Sequence, residues 1–475
     1  MSKQVSAAST DAPPVHFQGA RSSPPPTPHR STRPAAEIVR LAWPVVVSQL
    51  LLNILNLADI MMLGTLGATP LAAVGYATQS LFVVQSCMVA VGASCVAMMA
   101  RALGAGNVAR ARSALATNLC VGLLAFALPA LLTTLISPNA VLDLLAAPAE
   151  VRTIGIPYFR WTMATSVSVA TCQIYEHALR TAKDTRRAMG ITALIAVAKL
   201  VLNYALIFGH FGLPELGLEG AGMATLGAYT LGALLFITAT RNHPQPALRL
   251  RLSDARHIPE RLRETLHLAI PALGERLAMT VALITYFRFL AKYGVASIAA
   301  YNVGTRILAF SWIPGLALSV AASTLVGLAL GARDPSRARD SGTHAVRLGQ
   351  GLAFVLGLLL VCFRHQLSKL FTNDGAVIAA LDPFILLLGL GLPLLVTHFT
   401  LSGALRGAGD TLSPLYAASV GSWLIRVPLA YLLSQVLFAP LAWVWSVMLL
   451  DHLLRAVWLS LSFRYGSWDQ RLGDR

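Results

Sequence analysis

The sequence has little charge, few cysteines and fewer acidic than basic side chains. Charged residues make up 12% of its 475 residues and hydrophobic residues 56%, whereas a soluble chain of this size carries about twice that share of charge. The five cysteines lie in apolar stretches and form no CxxC pair, so neither a metal site nor a disulfide framework is predicted. We interpret them as small buried apolar side chains.

Common enzyme and nucleotide-binding motifs are also absent from the sequence. The chain has no P-loop, no HExxH and no GxSxG motif, and we therefore expect neither an enzyme nor a cofactor. The net charge of +16 could suggest nucleic acid as a partner. However, the basic residues lie between apolar spans and form no continuous patch, so we expect no nucleic acid.

Long apolar stretches indicate that the partner is instead a lipid bilayer. They run for 20 or more residues, enough to cross a hydrocarbon core of about 30 Å. We predict an all-α membrane protein with twelve transmembrane helices, near 36–65, 71–100, 115–137, 155–178, 188–209, 220–240, 265–290, 298–330, 346–370, 379–404, 412–438 and 440–463. Residues 1–34 are rich in proline, serine and arginine and lack an apolar core, which predicts a disordered tail and not a signal peptide.

Lysine and arginine lie mainly on one side of these helices. If the N-terminus is cytoplasmic, the inner segments hold 26 of these residues and the outer segments hold 4. Cytoplasmic loops carry such an excess. We therefore expect both termini in the cytoplasm, in a bacterial inner membrane.

The chain also repeats itself. An Ala-Leu-Gly-Ala run at Gly104 returns at Gly331, 227 residues later, and Pro44 and Pro271 keep the same offset. Six helices per half is an even number, so the halves have the same orientation, as parallel repeats do. We predict two six-helix bundles in a monomer. The predicted parts are a tail at 1–34, lobes at 35–240 and 265–463, a cytoplasmic linker at 241–264 and a tail at 464–475.

Several motifs resemble a known family. They are the Leu-Ala-Trp-Pro run of helix 1 with Ala58-Asp59-Ile60-Met61-Met62-Leu63-Gly64, the Ala269-Ile270-Pro271 run of helix 7, the two Ala-Leu-Gly-Ala loops, and Ala-Leu-Arg-Gly-Ala-Gly-Asp-Thr at 404–411. Together, over about residues 36–463, they resemble the multidrug and toxic compound extrusion (MATE) family. The resemblance implies a central cavity open to one side at a time, and export of organic, often cationic, compounds in exchange for protons or sodium ions.

Asp59 is the first candidate for ion coupling. A charge inside a span costs at least about 2.5–3.5 kcal/mol on insertion scales, so it needs a reason. Gln49, Asn53, Asn56 and Asp59 follow one another at spacings of four, three and three, which places them on one face of predicted helix 1. The resemblance gives the helix-1 aspartate a coupling role. The alternative is a structural hydrogen-bond network.

Lys199 and Asn203 are the second candidates. They lie four residues apart on predicted helix 5 and so share a face. Members of the resembled family often have asparagine at the first position. A buried ammonium needs a partner, and packing like the family's would make that partner Asp59. We predict an Asp59–Lys199 pair that favours proton coupling. The alternative is a lysine that extends to the membrane surface.

Glu275 is the third candidate, four residues after Pro271 on predicted helix 7. The resemblance gives this glutamate a role in cation coupling in part of the family, commonly with a helix-10 aspartate. This chain has no such aspartate near Leu395, which puts a complete second carboxylate site in doubt. The alternative is an ion pair of Glu275 with Arg276 or Arg306.

Other polar and aromatic residues are candidates for the substrate cavity, with ordinary helix packing as the alternative for each. An Asp451–Arg455 bridge is expected to be structural, from its spacing of four residues. A flippase for lipid-linked precursors and a passive channel are the alternative membrane functions. The cavity candidates are Gln49, Asn53, Asn56, Thr162, Ser166, Gln173, Tyr204, Tyr286, His398 and Phe399.

Overall fold

The computed structural model of the protein describes residues 34–145 and 147–469. Twelve long helices cross it: α1 Pro34–Gly64, α2 Ala68–Gly104, α3 Val108–Ile136, α4 Ala149–Thr181, α5 Thr185–Phe208, α6 Gly217–Arg241, α7 Ile258–Leu290, α8 Val295–Gly331, α9 Pro335–Cys362, α10 Gly375–Gly407, α11 Leu412–Val436 and α12 Leu441–Tyr465. Two short helices, Pro138–Leu144 and Arg364–Phe371, precede α4 and α10. The prediction of an all-helical, twelve-span fold is confirmed.

Eleven of the long helices in the described residues are long and apolar enough to cross a membrane. The twelfth, α4, carries several charged side chains along its 33 residues. The predicted 1–34 tail lies outside the described residues except for Pro34, and so do residues 470–475 of the predicted second tail.

Some helices are longer or less regular than the sequence predicted. α3 and α7 begin seven residues earlier, at Val108 and Ile258, because their first turns are polar and extend beyond the apolar span. α8 breaks at Trp312, just before Pro314, because a proline cannot donate the backbone hydrogen bond of a continuous helix. The predicted span 346–370 ends at Cys362, and a separate short helix follows.

The arginine-rich end of the molecule holds the α2–α3, α4–α5, α8–α9 and α10–α11 loops and the segment between α6 and α7. Here α2 and α8 cross. A Cβ on Gly104 would lie 2.1 Å from the Leu328 carbonyl oxygen, and a Cβ on Gly331 would lie 2.1 Å from the Arg101 carbonyl oxygen. Residues 101 and 328, like 104 and 331, are 227 positions apart. The repeated glycines therefore meet about a twofold pseudo-axis.

Further bonds join the two halves at the same end. Glu37 on α1 binds Lys183 of its own half at 2.5 Å and Arg337 of the other half at 3.8 Å. Arg101 donates to the Ala408 carbonyl, and Thr265 Oγ1 to Met98 Sδ at 3.4 Å. Within residues 34–145 and 147–469, every hydrogen bond and ion pair between the halves lies at this end. The arginine-rich end is closed.

α1 belongs to the packing of both halves. Its first part, with Ile38, Leu41 and Val45, is buried in the core of the second half. Its last part carries Asp59 and packs beside α5 of the first half. The predicted lobe boundary at residue 35 therefore assigns to the first half a segment that packs with the second.

Candidate functional site

Asp59 binds two residues of α5. Lys199 Nζ donates to Asp59 Oδ2, and Asn203 Nδ2 donates to Asp59 Oδ1 at 2.7 Å. The side chains of Asp59 and Lys199 are 14% and 13% exposed, so little water reaches them. The predicted Asp59–Lys199 contact is present in the structure. Because Lys199 and Asn203 are one helical turn apart, α5 offers both donors to a single carboxylate.

The position of this carboxylate along the membrane is informative. Asp59 lies five residues before the end of α1 at Gly64, far from the arginine-rich end. Asn203 is buried, and its Oδ1 has no hydrogen-bond partner among the described residues. The site therefore holds one negative charge, one positive charge and a free acceptor oxygen near the end of the molecule where no bonds between the halves are found in the described chain. Such a site pairs the two charges directly, and the Asn203 oxygen can still accept a hydrogen bond.

The polar face of α1 continues from Asp59 toward the arginine-rich end. Asn56 is exposed, whereas Asn53 and Gln49 are half-buried. These three residues and Asp59 share the spacing that predicted one face. Their partial exposure shows that this face is not fully packed inside the first half.

The α4 candidates are less accessible. Thr162 and Ser166 are buried, and Ser166 Oγ donates to the Ala127 carbonyl of α3 at 2.9 Å. Ser166 therefore ties α4 to α3 in this conformation and presents no free hydroxyl to a substrate. Gln173 is half-buried.

Tyr204 lies in an aromatic group at the end of α5. Its ring stacks on His210 at 4.3 Å, and its hydroxyl is 3.2 Å from His210 Nε2. Phe208 and Phe211 are next to it, and Met62 of α1 lines the same open apolar pocket. Tyr204 is thus exposed close to α1, as a cavity residue requires.

The second-half cavity candidates are mostly inside the lobe. Tyr286 is fully buried, and its hydroxyl donates to the Val444 carbonyl at 2.9 Å. His398 is buried against His452, with ring centroids 5.3 Å apart. Phe399 is half-buried, with its ring 6.1 Å from that of Trp312. The structure therefore does not bring these three into one open surface with the candidates on α1.

A buried charge cluster joins α11 and α12 of the second half. Asp451 receives two hydrogen bonds from Arg455, at 2.6 and 2.9 Å, which matches the predicted bridge. Arg426 also binds Asp451, at 2.5 Å. Arg455 donates further to Ser422 Oγ at 2.7 Å. Two guanidinium groups therefore share one carboxylate, and all three side chains are nearly inaccessible.

Sequence reasoning missed Arg426 as a partner of Asp451. The sequence feature that could have pointed to Arg426 is its position in the repeat, which is equivalent to that of Lys199, 227 residues earlier. However, residues Val420–Arg426 are π-helical, and such segments often occur at functional sites. The sequence pattern revealed neither this π-helical segment nor the contact of Arg426 with Asp451.

Glu275 has a different partner from those considered in the sequence. Its Oε2 accepts from Arg406 Nη1 of α10 at 3.0 Å, whereas the sequence suggested Arg276 or Arg306. The arginine comes from the Ala-Leu-Arg motif at the end of α10 and extends inward from there. Leu395, where a second carboxylate was considered, is buried and apolar.

One family model matches the chain twice, once in each half of the repeat. The MatE family model matches residues 44–205 and, a second time, residues 271–432. The chain belongs to the MatE family. The starts and the ends of the two matches are each 227 residues apart, which is the offset of the internal repeat. This family consists of multidrug efflux transporters and not of enzymes.

Relatives and solved structures of the family cover most of the chain. A probable multidrug resistance protein NorM from Thermotoga maritima is 27% identical over 92% of this chain and 93% of its own. One from Burkholderia mallei is 30% identical over 88% and 89%. A MATE transporter structure from Vibrio cholerae has a TM-score of 0.85 and 22% identity, over 92% of this chain and 98% of that one. This MatE member therefore shares their fold over nearly its whole length.

Proposed function

We propose that this protein is a secondary antiporter that exports organic, often cationic, compounds in exchange for protons by alternating access. The contact of Lys199 with Asp59 carries the proposal. In the family resembled, protons and sodium ions are the two coupling ions, and here an ammonium occupies the side of the carboxylate where a sodium ion would bind. A proton remains the ion that Asp59 can still accept.

The proposed step is a change of charge at one carboxylate. A proton from the outer side binds Asp59, and the attraction between its carboxylate and the Lys199 ammonium is lost. A buried ammonium without a counter-charge is unfavourable, so α1 and α5 repack. Because α1 also packs in the second half through Ile38 and Leu41, this repacking can reach the closed arginine-rich end.

The proposed orientation places that closed end in the cytoplasm, with both termini, in a bacterial inner membrane. The lysine and arginine asymmetry supports it. We propose lobes at 35–240 and 265–463 in a monomer, with the cavity between them lined by the α1 face and Tyr204. The structure then represents a state open to the outside.

Cation pairing also bears on the flippase alternative. A phosphate-carrying substrate requires free cationic groups in the cavity. Lys199 and Arg426 are basic side chains inside the predicted spans, and each is bound to a carboxylate. The pairing of Lys199 with Asp59 leaves no net charge at that site, which favours organic compounds over lipid-linked phosphates.

The test is efflux of a fluorescent organic cation from proteoliposomes under an imposed proton gradient or an imposed sodium gradient. We expect the proton gradient alone to drive it. Asp59→Asn should lower proton-driven efflux by about 5–150-fold, which is the fold-change that corresponds to typical coupling free energies between two sites. Lys199→Asn should add a response to sodium, whereas the exposed Lys369→Asn serves as the control and should change neither.

Two outcomes would contradict the proposal. One is efflux driven by sodium alone in the unaltered protein. The other is a Lys199→Asn variant with unchanged dependence on pH and on sodium.

A further inference from the structure

The segment between the two halves is folded against the first half. Ala247 and Leu248 are buried. His243 Nε2 lies 3.1 Å from Asp184 Oδ2, and Arg112 Nε lies 3.5 Å from Asp254 Oδ1. These contacts fix the segment on the α3 and α4–α5 side of the arginine-rich end. Its side chains are thus held in place against the first half.

This segment and the first turns of α7 carry six arginines and three carboxylates, and one of these carboxylates, Glu260, lies 3.4 Å from His257. Asp254 is taken by Arg112, and Glu264 by Arg110 and Arg261. Within the part of the chain that the structure describes, no carboxylate lies within 4 Å of the other arginines, and all are exposed. We name these five residues the linker arginine surface: Arg241, Arg249, Arg251, Arg256 and Arg263.

An apolar stripe begins beside this surface. Leu262, Leu266 and Ile270 of α7 are exposed by 37%, 37% and 62%, and Leu277 continues the line. Residues four apart lie on one face of a helix. Because the two halves are closed against each other at this end, the exposed side chains of the stripe face acyl chains in our proposal. Arg263 directly follows Leu262 at the start of the stripe, which puts the linker arginine surface near the level of the lipid headgroups.

We infer that the linker arginine surface binds the phosphate headgroups of anionic phospholipids, whose acyl chains lie along the α7 stripe. Guanidinium groups bind phosphate oxygens in a bidentate manner, and basic residues at this level attract anionic lipids. A lipid satisfies both features at once, since it offers a negative headgroup and an apolar tail. This inference does not depend on the substrate or on the coupling ion.

The test uses the full-length protein in detergent and counts bound lipids by native mass spectrometry. Phosphatidylglycerol and phosphatidylcholine with the same acyl chains are compared. Each basic residue contributes about fivefold at an anionic lipid surface. The triple variant Arg249→Gln, Arg251→Gln, Arg256→Gln should therefore bind phosphatidylglycerol about a hundredfold more weakly, with little change for phosphatidylcholine.

A matched control separates this surface from basic charge in general. Arg40, Arg347 and Arg464 are exposed at the same end, and their triple change to glutamine should leave phosphatidylglycerol binding within about twofold. Because Arg249 Nε also donates to the His243 carbonyl, a double variant at Arg251 and Arg256 guards against misfolding. Its affinity should fall about 25-fold.

Four results would overturn the inference. They are unchanged phosphatidylglycerol binding in both linker variants, an equal loss in the control triple, binding of phosphatidylcholine by the unaltered protein as tight as that of phosphatidylglycerol, and displacement of phosphatidylglycerol by equimolar inorganic phosphate. The last result would indicate a general phosphate site and not a lipid site.

Discussion

The two halves use a basic residue at the same repeat position in different ways. Lys199 of the first half binds Asp59 on α1, and the pair retains some exposure. Arg426 of the second half binds Asp451 on α12, in a cluster that is almost completely buried and holds two arginines for one aspartate. The first arrangement pairs one ammonium with one carboxylate, so its charges balance. The second carries one excess positive charge and is almost completely inaccessible to water.

The sequence positions explain why the halves diverge. The position equivalent to Asp59 is Tyr286, and the positions equivalent to Asp451 and Arg455 are Ala224 and Ala228. Each half has therefore kept the basic residue and placed its carboxylate on a different helix. We infer that the first cluster is suited to coupling and the second to holding α11 against α12.

The largest predicted effect is on the stability of the second cluster. Asp451→Asn leaves two buried guanidinium groups without a counter-charge, and breaking a buried pair in this way costs about 3–5 kcal/mol. The measurement is the unfolding free energy in detergent. Asp59→Asn is the matched variant and should cost clearly less, because its site is smaller in charge and partly exposed. Equal losses would contradict the distinction between the two clusters.

The second-largest predicted loss of stability concerns Gly421, a glycine next to the second cluster. A Cβ on Gly421 would lie 2.2 Å from Asp451 Oδ1 and 2.8 Å from Arg455 Nε. Gly421→Ala should therefore destabilise the protein by about 1–3 kcal/mol, as overpacking does. Gly351→Ala, where no atom lies within 4 Å, is the control in thermal unfolding and should be neutral or slightly stabilising. A neutral Gly421→Ala would show that the cluster is loosely packed.

The two glycines at the crossing of α2 and α8 should have equal effects when each is substituted. Gly104→Ala and Gly331→Ala each place a methyl group on a backbone carbonyl of the other half, so each should shift the equilibrium toward an open arginine-rich end. We expect about a tenfold change, which corresponds to about 1.4 kcal/mol. Labelling of a single cysteine introduced at this end measures it. Gly190→Ala, with nothing within 4 Å, is the control, and an effect of only one of the two glycines would argue against a symmetric contact.

The smallest effect concerns two equivalent helix caps. Asn107 caps α3 and Asp334 caps α9, each accepting a backbone N–H at 2.9 Å. Hydrogen bonds from Ser336 and from the Arg337 backbone lower the pKa of Asp334. A lowered pKa means that the cap stabilises the fold above the ordinary pKa of aspartate and loses this contribution as the pH falls through the lowered native value.

Asp334→Asn should make the second cap resemble the first. At neutral pH the change should be within about 0.5 kcal/mol, because aspartate and asparagine cap equally well. The acid-dependent part of the loss should disappear in unfolding measurements between pH 6 and about pH 3. An unchanged acid profile would show that Asp334 contributes nothing to it.

Much of the site could be predicted because one helix face and one repeat offset carry the information. The spacing of Asn53, Asn56 and Asp59 indicated a shared face. The need of Lys199 for a counter-charge, together with the packing that the family resemblance implied, indicated its partner. The sequence could not indicate that Ser166 would bond to α3, that Tyr286 would be buried, or that Glu275 would bind Arg406. Each of these depends on the rotation of one helix against another, which a periodic pattern leaves open.

The sequence by itself determined the twelve spans, the one-sided distribution of lysine and arginine, the repeat and the family, because span length, charge asymmetry and motif offset are properties of the linear chain. Only the tertiary structure decided that Gly104 and Gly331 meet across the two halves. It also decided that Arg426 joins Asp451, and that the segment between the halves is docked with its arginines exposed. These depend on where helices cross and on how neighbouring helices and loops pack, which the linear chain does not specify.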